Sequence, residues 1–159
     1  IFRMPLPVEL NSRELETLGC EEMELYVYGY LPAMVSAQCI VRTTRGCTKK
    51  PEVLKMKDRT GKDLPVKNHC RFCYNTIYNP SPLSLLGQEK LIGRLAPGAL
   101  RLAFTLETPA QTKAILDAFA DPFLLGEDPK APLKDFTRGH FKSGVEYKYM
   151  VNIVIEVSQ

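Results

Sequence analysis

The sequence predicts a mixed α/β fold in which strands and helices alternate. A helical segment precedes a Tyr- and Val-rich strand near residue 20, and a second strand precedes a second helical segment near residue 108. The composition, 45% hydrophobic and 25% charged over 159 residues, is typical of roughly one globular domain with a buried core. Strand, helix and strand in succession is the repeat of parallel α/β proteins, whose strand ends carry the functional loops.

The first elements follow from local signals. The stretch LPVELN, residues 6–11, has the apolar pattern of a buried strand. In SRELETLGC, Ser12 is the predicted helix cap, the leucines have helical spacing, and Gly19 closes the helix. MELYVYG, residues 23–29, is the predicted strand that follows.

Four of the chain's five cysteines lie in one segment, residues 34–73. Inside this segment, VLKMKDRTGKDLPVKNH predicts a hairpin that turns at Arg59-Thr60-Gly61, where Gly61 supplies the positive φ of the turn. The hairpin separates one pair of cysteines from the other. If its strands pair, their outer ends meet, and the two cysteine pairs meet with them. The four cysteines are Cys39, Cys47, Cys70 and Cys73.

The second half of the chain repeats the alternation. GALRLAFTLE, residues 98–107, predicts a buried strand. In the next segment Thr108 is the predicted cap and Pro109 the first helical residue, with one apolar face made of Ile115, Leu116 and Phe119. The last residues, 147–159, predict a terminal strand.

Charge is distributed unevenly along the chain. Residues 1–41 hold two basic and six acidic side chains, whereas residues 42–73 hold ten basic and three acidic ones. Such a basic segment suits either a solvated loop or contact with an anionic partner, for which RNA and a small anionic substrate are the candidates. The candidate substrate-binding cations are Arg42, Arg45 and Lys67 in this segment and Arg138 in the loop TRGH.

The expected cellular compartment decides whether the cysteines are read as disulfides or as free thiols. No apolar run approaches the length of about 20 residues that a membrane helix needs, and the first residues lack the pattern of a signal peptide. We therefore expect a cytoplasmic protein without a membrane partner, in which thiols stay reduced and clustered thiols serve as metal ligands. Four thiolates suit an iron-sulfur cluster or zinc, and unmetallated thiols are the third possibility. Cys20 is expected to be a small buried hydrophobe and His69 a neighbour of the ligands.

Four motifs taken in order resemble one known family. ELYVYGYLPAMVSAQC, NHCRFCYNTIYN, LRLAFTLE and FTRGHFKSGVE are similar to motifs in the C-terminal half of the collagenase-like peptidase family U-thirty-two. The resemblance covers about residues 5–146 and implies a partial TIM-type (β/α) barrel over residues 1–146, with a cysteine-bearing hairpin insert over residues 39–73. A complete barrel needs about 250 residues, and the chain does not begin with Met. We therefore expect a fragment of a longer protein.

The resemblance implies two kinds of activity. The family is named for peptide hydrolysis, but several members are iron-sulfur proteins that support oxygen-independent hydroxylation of RNA or of small aromatic molecules. By this resemblance the four cysteines hold a four-iron four-sulfur cluster, with zinc as the alternative. We expect a cluster-binding enzyme with redox or hydroxylation chemistry; the alternatives are a peptidase acting on peptides and a zinc-stabilised binding module. The substrate and the oligomeric state are not set by the sequence.

Glu24 and His140 are the candidate catalytic residues. The resemblance places the family's strand-motif glutamate and glycine on Glu24 and Gly29. The sequence has neither a GxSxG nor an HExxH motif, so a hydrolytic acid or base has to come from Glu24 or from His140. A structural role is the alternative for each: Glu24 in an ion pair with an arginine such as Arg101, and His140 in a hydrogen bond to the backbone.

Overall fold

The computed structural model describes residues 3–127 and 133–144, which form two β-sheets and four α-helices. The strands are β1 (Met4–Pro5), β2 (Met23–Gly29), β3 (Pro32–Ser36), β4 (Val53–Lys57), β5 (Asp63–His69), β6 (Tyr74–Tyr78), β7 (Leu83–Ser84) and β8 (Ala99–Ala103). The helices are α1 (Ser12–Leu18), α2 (Ile40–Arg45), α3 (Glu89–Leu95) and α4 (Pro109–Ala120). A 3-10 turn spans Cys70–Phe72, and a π-helical turn spans Asp121–Leu125.

The first sheet is built around β2. Glu24 pairs with Pro5 of β1 and with Ala99 of β8, both in parallel, so these two strands lie on opposite edges of β2. At the far end of β2, Gly29 pairs antiparallel with Leu83 of β7. The predicted alternation is confirmed, since α1 connects the parallel strands β1 and β2 and α4 follows β8.

The helix α1 begins one residue earlier than predicted. Its cap is Asn11, whose Oδ1 accepts hydrogen bonds from the backbone N–H groups of Arg13 at 2.9 Å and Glu14 at 3.1 Å. Glu14 in turn accepts from the Asn11 N–H at 2.8 Å, which completes a capping box. The prediction of Ser12 as the cap was wrong, because the glutamate three residues after Asn11 makes Asn11 the better cap.

Two further observations differ from the predictions: the extent of the first strand and the exposure of Leu116. The strand predicted over residues 6–11 is a turn and a helix cap, and the pairing of β1 ends at Pro5. In α4, Thr108 caps the helix as predicted, and Ile115 and Phe119 are buried, but Leu116 is 46% exposed. Leu116 lies at the edge of the face that packs on the first sheet, in an open cavity that Leu100 and Leu102 of β8 also line.

The core lies between the first sheet and its helices. Leu15 of α1, Val27 of β2 and Ile92 of α3 are almost fully buried there, together with Ile115 and Phe119 of α4. Burial of side chains of this size contributes about 1.5–3 kcal/mol each to stability. The core therefore holds β2 and its helices in place and sets where the next segment leaves the sheet.

The second sheet is antiparallel and belongs to the segment between β2 and α3. Its strand order is β3-β6-β5-β4. The predicted hairpin is confirmed as β4 and β5, with Gly61 at φ +83° in the turn. Strands β3 and β6 were not predicted, because β3 begins at a proline and two prolines closely follow β6, which is typical of loops. Val66 of β5 and Ile77 of β6 are buried in this sheet.

A mixed α/β fold is confirmed, whereas a TIM-type barrel is not. The described residues contain parallel pairing among β1, β2 and β8, and they do not close into a barrel. The predicted terminal strand, residues 147–159, lies outside the described residues. No helix in the described part of the chain has the length and hydropathy needed to cross a membrane.

Candidate metal centre

Cys39 and Cys47 lie at the two ends of α2. Cys39 occupies the N-cap position in extended backbone, and Cys47 follows Gly46, whose φ of +85° ends the helix. The Cys39 side chain is 8% exposed and its thiol donates to Oδ1 of the buried Asn68 on β5, at 3.9 Å. Cys47 is exposed. The short helix therefore presents one buried thiol and one exposed thiol.

Cys70 and Cys73 lie on the connection between β5 and β6. Cys70 opens the 3-10 turn, and Cys73 ends it in the left-handed conformation at φ +55°. Residues three apart on a 3-10 turn project from the same side. This places both thiols on one face, and the Cys73 thiol donates to the Cys70 carbonyl oxygen at 3.8 Å.

The two cysteine pairs converge, as the hairpin predicted. Partial burial raises the pKa of the Cys70 thiol, and the neighbouring thiols of Cys47, Cys73 and Cys39 raise this pKa further, as does a hydrogen bond between Cys47 and Cys70. Cys73 lines two cavities: one of about 430 Å³ that it shares with Cys39, and one of about 660 Å³ that it shares with Cys47 and Cys70. The four thiols thus line two cavities that share Cys73, and these four residues are called the cysteine cluster.

The donors of this cluster are of the kind that binds metals as thiolates. In the structure the four thiols do not point toward one centre. Across residues 3–127 and 133–144, no group of three or more His, Cys, Asp or Glu side chains is arranged to hold a metal ion. Cys39 and Cys73 instead donate to Asn68 and to the Cys70 carbonyl. Rotation about χ1 between staggered positions re-aims a thiol without moving the backbone. Thiols are the donors that zinc and iron-sulfur clusters use, and here they lie at the two ends of α2 and on the 3-10 turn.

His69 lines the cavity of Cys47, Cys70 and Cys73, and contacts on β6 hold its ring. Its Nε2 lies 3.1 Å from the hydroxyl oxygen of Thr76 on β6, and its ring stacks on Tyr74 with ring centroids 4.3 Å apart. Cys20 is 1% exposed in the core of the first sheet, where its thiol donates to the Leu15 carbonyl at 3.3 Å. Both residues lie as expected, His69 beside the cluster and Cys20 in the core.

The predicted cations of the insert occupy different positions. Arg42 is exposed and lines the cavity shared by Cys39 and Cys73. Arg45 forms an ion pair with Glu52. The Lys67 ammonium donates to the carbonyl oxygen of Thr105, at 3.1 Å, and so connects the second sheet to the segment after β8. Two cations that were not selected from the sequence, Lys49 and Arg71, line the cavity of Cys47, Cys70 and Cys73.

Glu24 is not brought to the cysteines. It lies at the amino end of β2 and forms an ion pair with Arg101 of β8, with 3.2 Å between Oε2 and Nε. The cysteine-bearing segment leaves from the carboxyl end of β2, about 17 Å along the strand at about 3.3 Å per residue. The observed contact of Glu24 is thus the structural alternative considered for it, an ion pair with Arg101.

His140 and Arg138 hold the segment after residue 133. His140 Nδ1 lies 3.0 Å from the Gly144 carbonyl oxygen. The Arg138 guanidinium donates to the carbonyl oxygens of Ser84, at 2.8 Å, and Leu86, and it lies over the Phe136 ring. Burial lowers the pKa of Arg138. These contacts fasten the loop to β7 and the residues after it.

A group at the carboxyl ends of β2 and β8 was not predicted as a site. Glu107 Oε1 accepts a hydrogen bond from the Tyr28 hydroxyl at 3.1 Å, and Tyr26, Tyr30 and Tyr78 lie in the electrostatic range of the same carboxylate. The available signal was the recurrence of tyrosine at residues 26, 28 and 30, which places phenols at the carboxyl end of β2 and just beyond it.

No family model, curated protein or solved structure matches this chain.

Proposed function

We propose that this chain is part of an iron-sulfur protein in which Cys39, Cys47, Cys70 and Cys73 hold a four-iron four-sulfur cluster. The proposed chemistry is electron transfer or hydroxylation acting on RNA or on a small aromatic substrate, as in members of the collagenase-like peptidase family U-thirty-two that the motifs resemble. The observation that carries the proposal is that Cys73 lines one cavity with Cys39 and a second cavity with Cys47 and Cys70.

The residues around the thiols support a negatively charged centre. Metal binding requires thiolates, and four of them concentrate negative charge. Arg42, Lys49 and Arg71 line the two cavities of the cluster and offset this charge. The Asn68 side chain faces Cys39, and rotation of its amide presents N–H groups to a thiolate in place of the oxygen. When bound, an iron-sulfur cluster supplies one-electron transfer.

Anaerobic purification followed by iron, sulfide and zinc analysis tests the proposal. We expect iron and sulfide together with a broad visible absorbance, and replacing each of the four cysteines in turn by Ser lowers bound iron. The matched control is Cys20→Ala, which removes a thiol from the core of the first sheet and leaves iron per folded protein unchanged. Full iron in all four Ser variants contradicts the proposal, and stoichiometric zinc without sulfide supports the zinc-stabilised module instead.

A hydrolysis assay separates the redox proposal from the peptidase alternative. The assay uses the protein at its natural full length, with gelatin and peptides as substrates. We expect no cleavage that depends on Glu24 or His140. Cleavage that is lost in Glu24→Gln or His140→Ala, yet persists after removal of all iron, overturns the redox assignment.

A further inference from the structure

A cavity of about 410 Å³ opens at the carboxyl ends of β2 and β8, outside the cysteine cluster. Tyr28 and Tyr30 at the end of β2 line it together with Glu107, which precedes α4. The opposite wall includes Pro80, Pro82 and Leu133. Ligands of open α/β sheets bind at the carboxyl ends of the strands, because loops and helix starts converge there.

Glu107 is held in one orientation at this cavity. Its Oε2 accepts hydrogen bonds from the backbone N–H groups of Thr105 at 2.7 Å and Leu106 at 2.9 Å, and its Oε1 accepts from the Tyr28 hydroxyl. A carboxylate oxygen accepts more than one hydrogen bond. Oε2 uses both of its lone pairs for the two N–H groups, so Oε1, which accepts only from Tyr28, retains capacity for one donor that enters the cavity.

The tyrosines at this site stay neutral near pH 7. Burial, and then the Glu107 carboxylate, raise the pKa values of the two tyrosines that line the cavity, Tyr28 and Tyr30. Neutral phenols offer O–H donors and electron-rich ring faces. Tyr30 also meets Tyr78 of the second sheet edge to face, with ring centroids 6.5 Å apart.

The charge of the lining favours a cation. The charged residues at the cavity are Glu107, Asp135 and Lys134, so two carboxylates oppose one ammonium group. Tyrosine rings attract cations through their faces, and the prolines and Leu133 offer apolar contact. In this cavity the free lone pair of Glu107 Oε1 favours a ligand that donates an N–H hydrogen bond and carries positive charge.

We propose that this cavity binds a small organic cation, an amine or amidine on a flat apolar body, with an N–H group at Glu107 and its body against Tyr28, Tyr30 and the prolines. The proposal goes beyond the iron-sulfur assignment and does not rest on a metal at the cysteines. The two sites are joined through Lys67, which lines the cysteine cavity and donates to the carbonyl oxygen of Thr105 beside Glu107.

Three probes that share one ring and differ in charge test this proposal: benzylamine, benzyl alcohol and benzoate. Each is titrated into the full chain while the amide spectrum is recorded by NMR. A probe of this size binds with a dissociation constant in the roughly millimolar range. We expect benzylammonium to bind at least about tenfold more tightly than benzyl alcohol, with shifts at Tyr28 and Tyr30, and benzoate not to bind there.

Matched variants assign the binding to Glu107. Glu107→Gln keeps the size of the side chain and weakens benzylammonium binding about tenfold, whereas Glu22→Gln, in the exposed turn at the other end of β2, leaves binding unchanged. Asp135→Asn serves as a second variant in case Glu107→Gln fails to fold, because asparagine tolerates the positive φ at this exposed position. We expect Asp135→Asn to lower the affinity for benzylammonium and to leave the affinity for benzyl alcohol unchanged. Equal binding of the three probes, or no binding of benzylammonium, overturns the proposal.

Discussion

At the scale of single residues, the conformation at the end of β2 depends on one glycine. Gly29 has φ +145° and pairs with both Leu83 and Ala103. A Cβ at this position meets the carbonyl oxygen of Ala103 and the hydroxyl of Tyr26. Because the backbone of β8 cannot withdraw without breaking the sheet, the position requires glycine. The tyrosines and the start of the cysteine-bearing segment depend on this conformation.

Gly29→Ala is expected to destabilise the protein by more than about 2 kcal/mol, since it combines a strained φ with a backbone clash. The matched control is Gly93→Ala in α3, where nothing lies within 4 Å of the added Cβ. That change raises stability by about 0.5–1 kcal/mol, because alanine is the better helix former. Urea unfolding of both variants measures the difference. Equal stability of Gly29→Ala and the parent chain contradicts the described pairing at Gly29.

Asp58 holds the turn of the hairpin through its carboxylate. Its Oδ1 accepts from the Thr60 N–H at 2.7 Å, the Thr60 hydroxyl at 2.7 Å and the Lys62 N–H at 2.9 Å. These bonds, first the Thr60 hydroxyl and then the Lys62 N–H, lower the pKa of Asp58 below its ordinary value. The ionised carboxylate of Asp58 is therefore stabilised more in the folded state than in the unfolded state.

The lowered pKa predicts a pH-dependent contribution to stability. The contribution is complete above the unfolded pKa of about 3.9 and is lost as pH falls through the lower folded pKa. In the Asp58→Asn variant, we expect the amide protons of the hairpin to exchange faster than in the parent chain at neutral pH. In strong acid, where Asp58 of the parent chain is protonated, we expect the two exchange rates to be equal. Hydrogen exchange followed by NMR measures both rates. A difference that grows toward acid pH contradicts the assignment.

At the scale of elements, short helices depend on their caps. Helix α1 has seven residues, fewer than an isolated helix needs to persist in water. Its capping box at Asn11 and Glu14 and the burial of Leu15 offset this shortness. The helix in turn fixes the entry of β2 into the first sheet.

Asn11→Ala is expected to lower the free energy of unfolding by about 1 kcal/mol, because two backbone N–H groups lose their acceptor. Glu14→Gln is the matched control. Glutamine also serves in a capping box, so we expect a smaller loss in the free energy of unfolding than for Asn11→Ala. Thermal unfolding with both variants measures the effect. A larger loss in Ser12→Ala than in Asn11→Ala contradicts the cap at Asn11.

At the scale of the whole molecule, the mixed first sheet is followed by the antiparallel second sheet at the carboxyl end of β2. The contact from Lys67 to Thr105 ties the two together. Arg42 of α2, Lys49 after α2 and Arg71 of the 3-10 turn lie at the cysteine cavities beside the second sheet. Positive charge is therefore concentrated where the proposed centre lies.

Replacing Arg42, Lys49 and Arg71 together by Gln is expected to weaken binding of single-stranded RNA and to reduce its salt dependence. Each lost phosphate contact lowers the slope of log affinity against log salt by about 0.7, so three contacts lower it by about 2. The control triple replaces Arg13, Lys90 and Arg94, which are exposed on α1 and α3. Fluorescence anisotropy at increasing KCl measures the slope. Salt-independent binding, or equal slopes in both triples, contradicts an RNA contact here.

The convergence of the cysteines was predictable because it needs only a hairpin. Asp58 and Gly61 define the turn, and once β4 and β5 pair, the segments at their ends meet. The Glu107 site was not predictable in this way. Tyr28 and Glu107 are 79 residues apart in the chain, and their contact depends on β2 and β8 pairing in parallel.

The sequence by itself determined the mixed α/β class, the hairpin, the cap at Thr108 and the clustering of thiols. Each of these depends on residues within one turn or one hairpin, where side-chain chemistry and backbone preference act directly. Only the tertiary structure decided that Glu24 pairs with Arg101 and that Lys67 reaches Thr105. Such contacts depend on strand order and register, which the pattern of one strand does not specify, because a strand carries the same alternation whichever neighbour it pairs with.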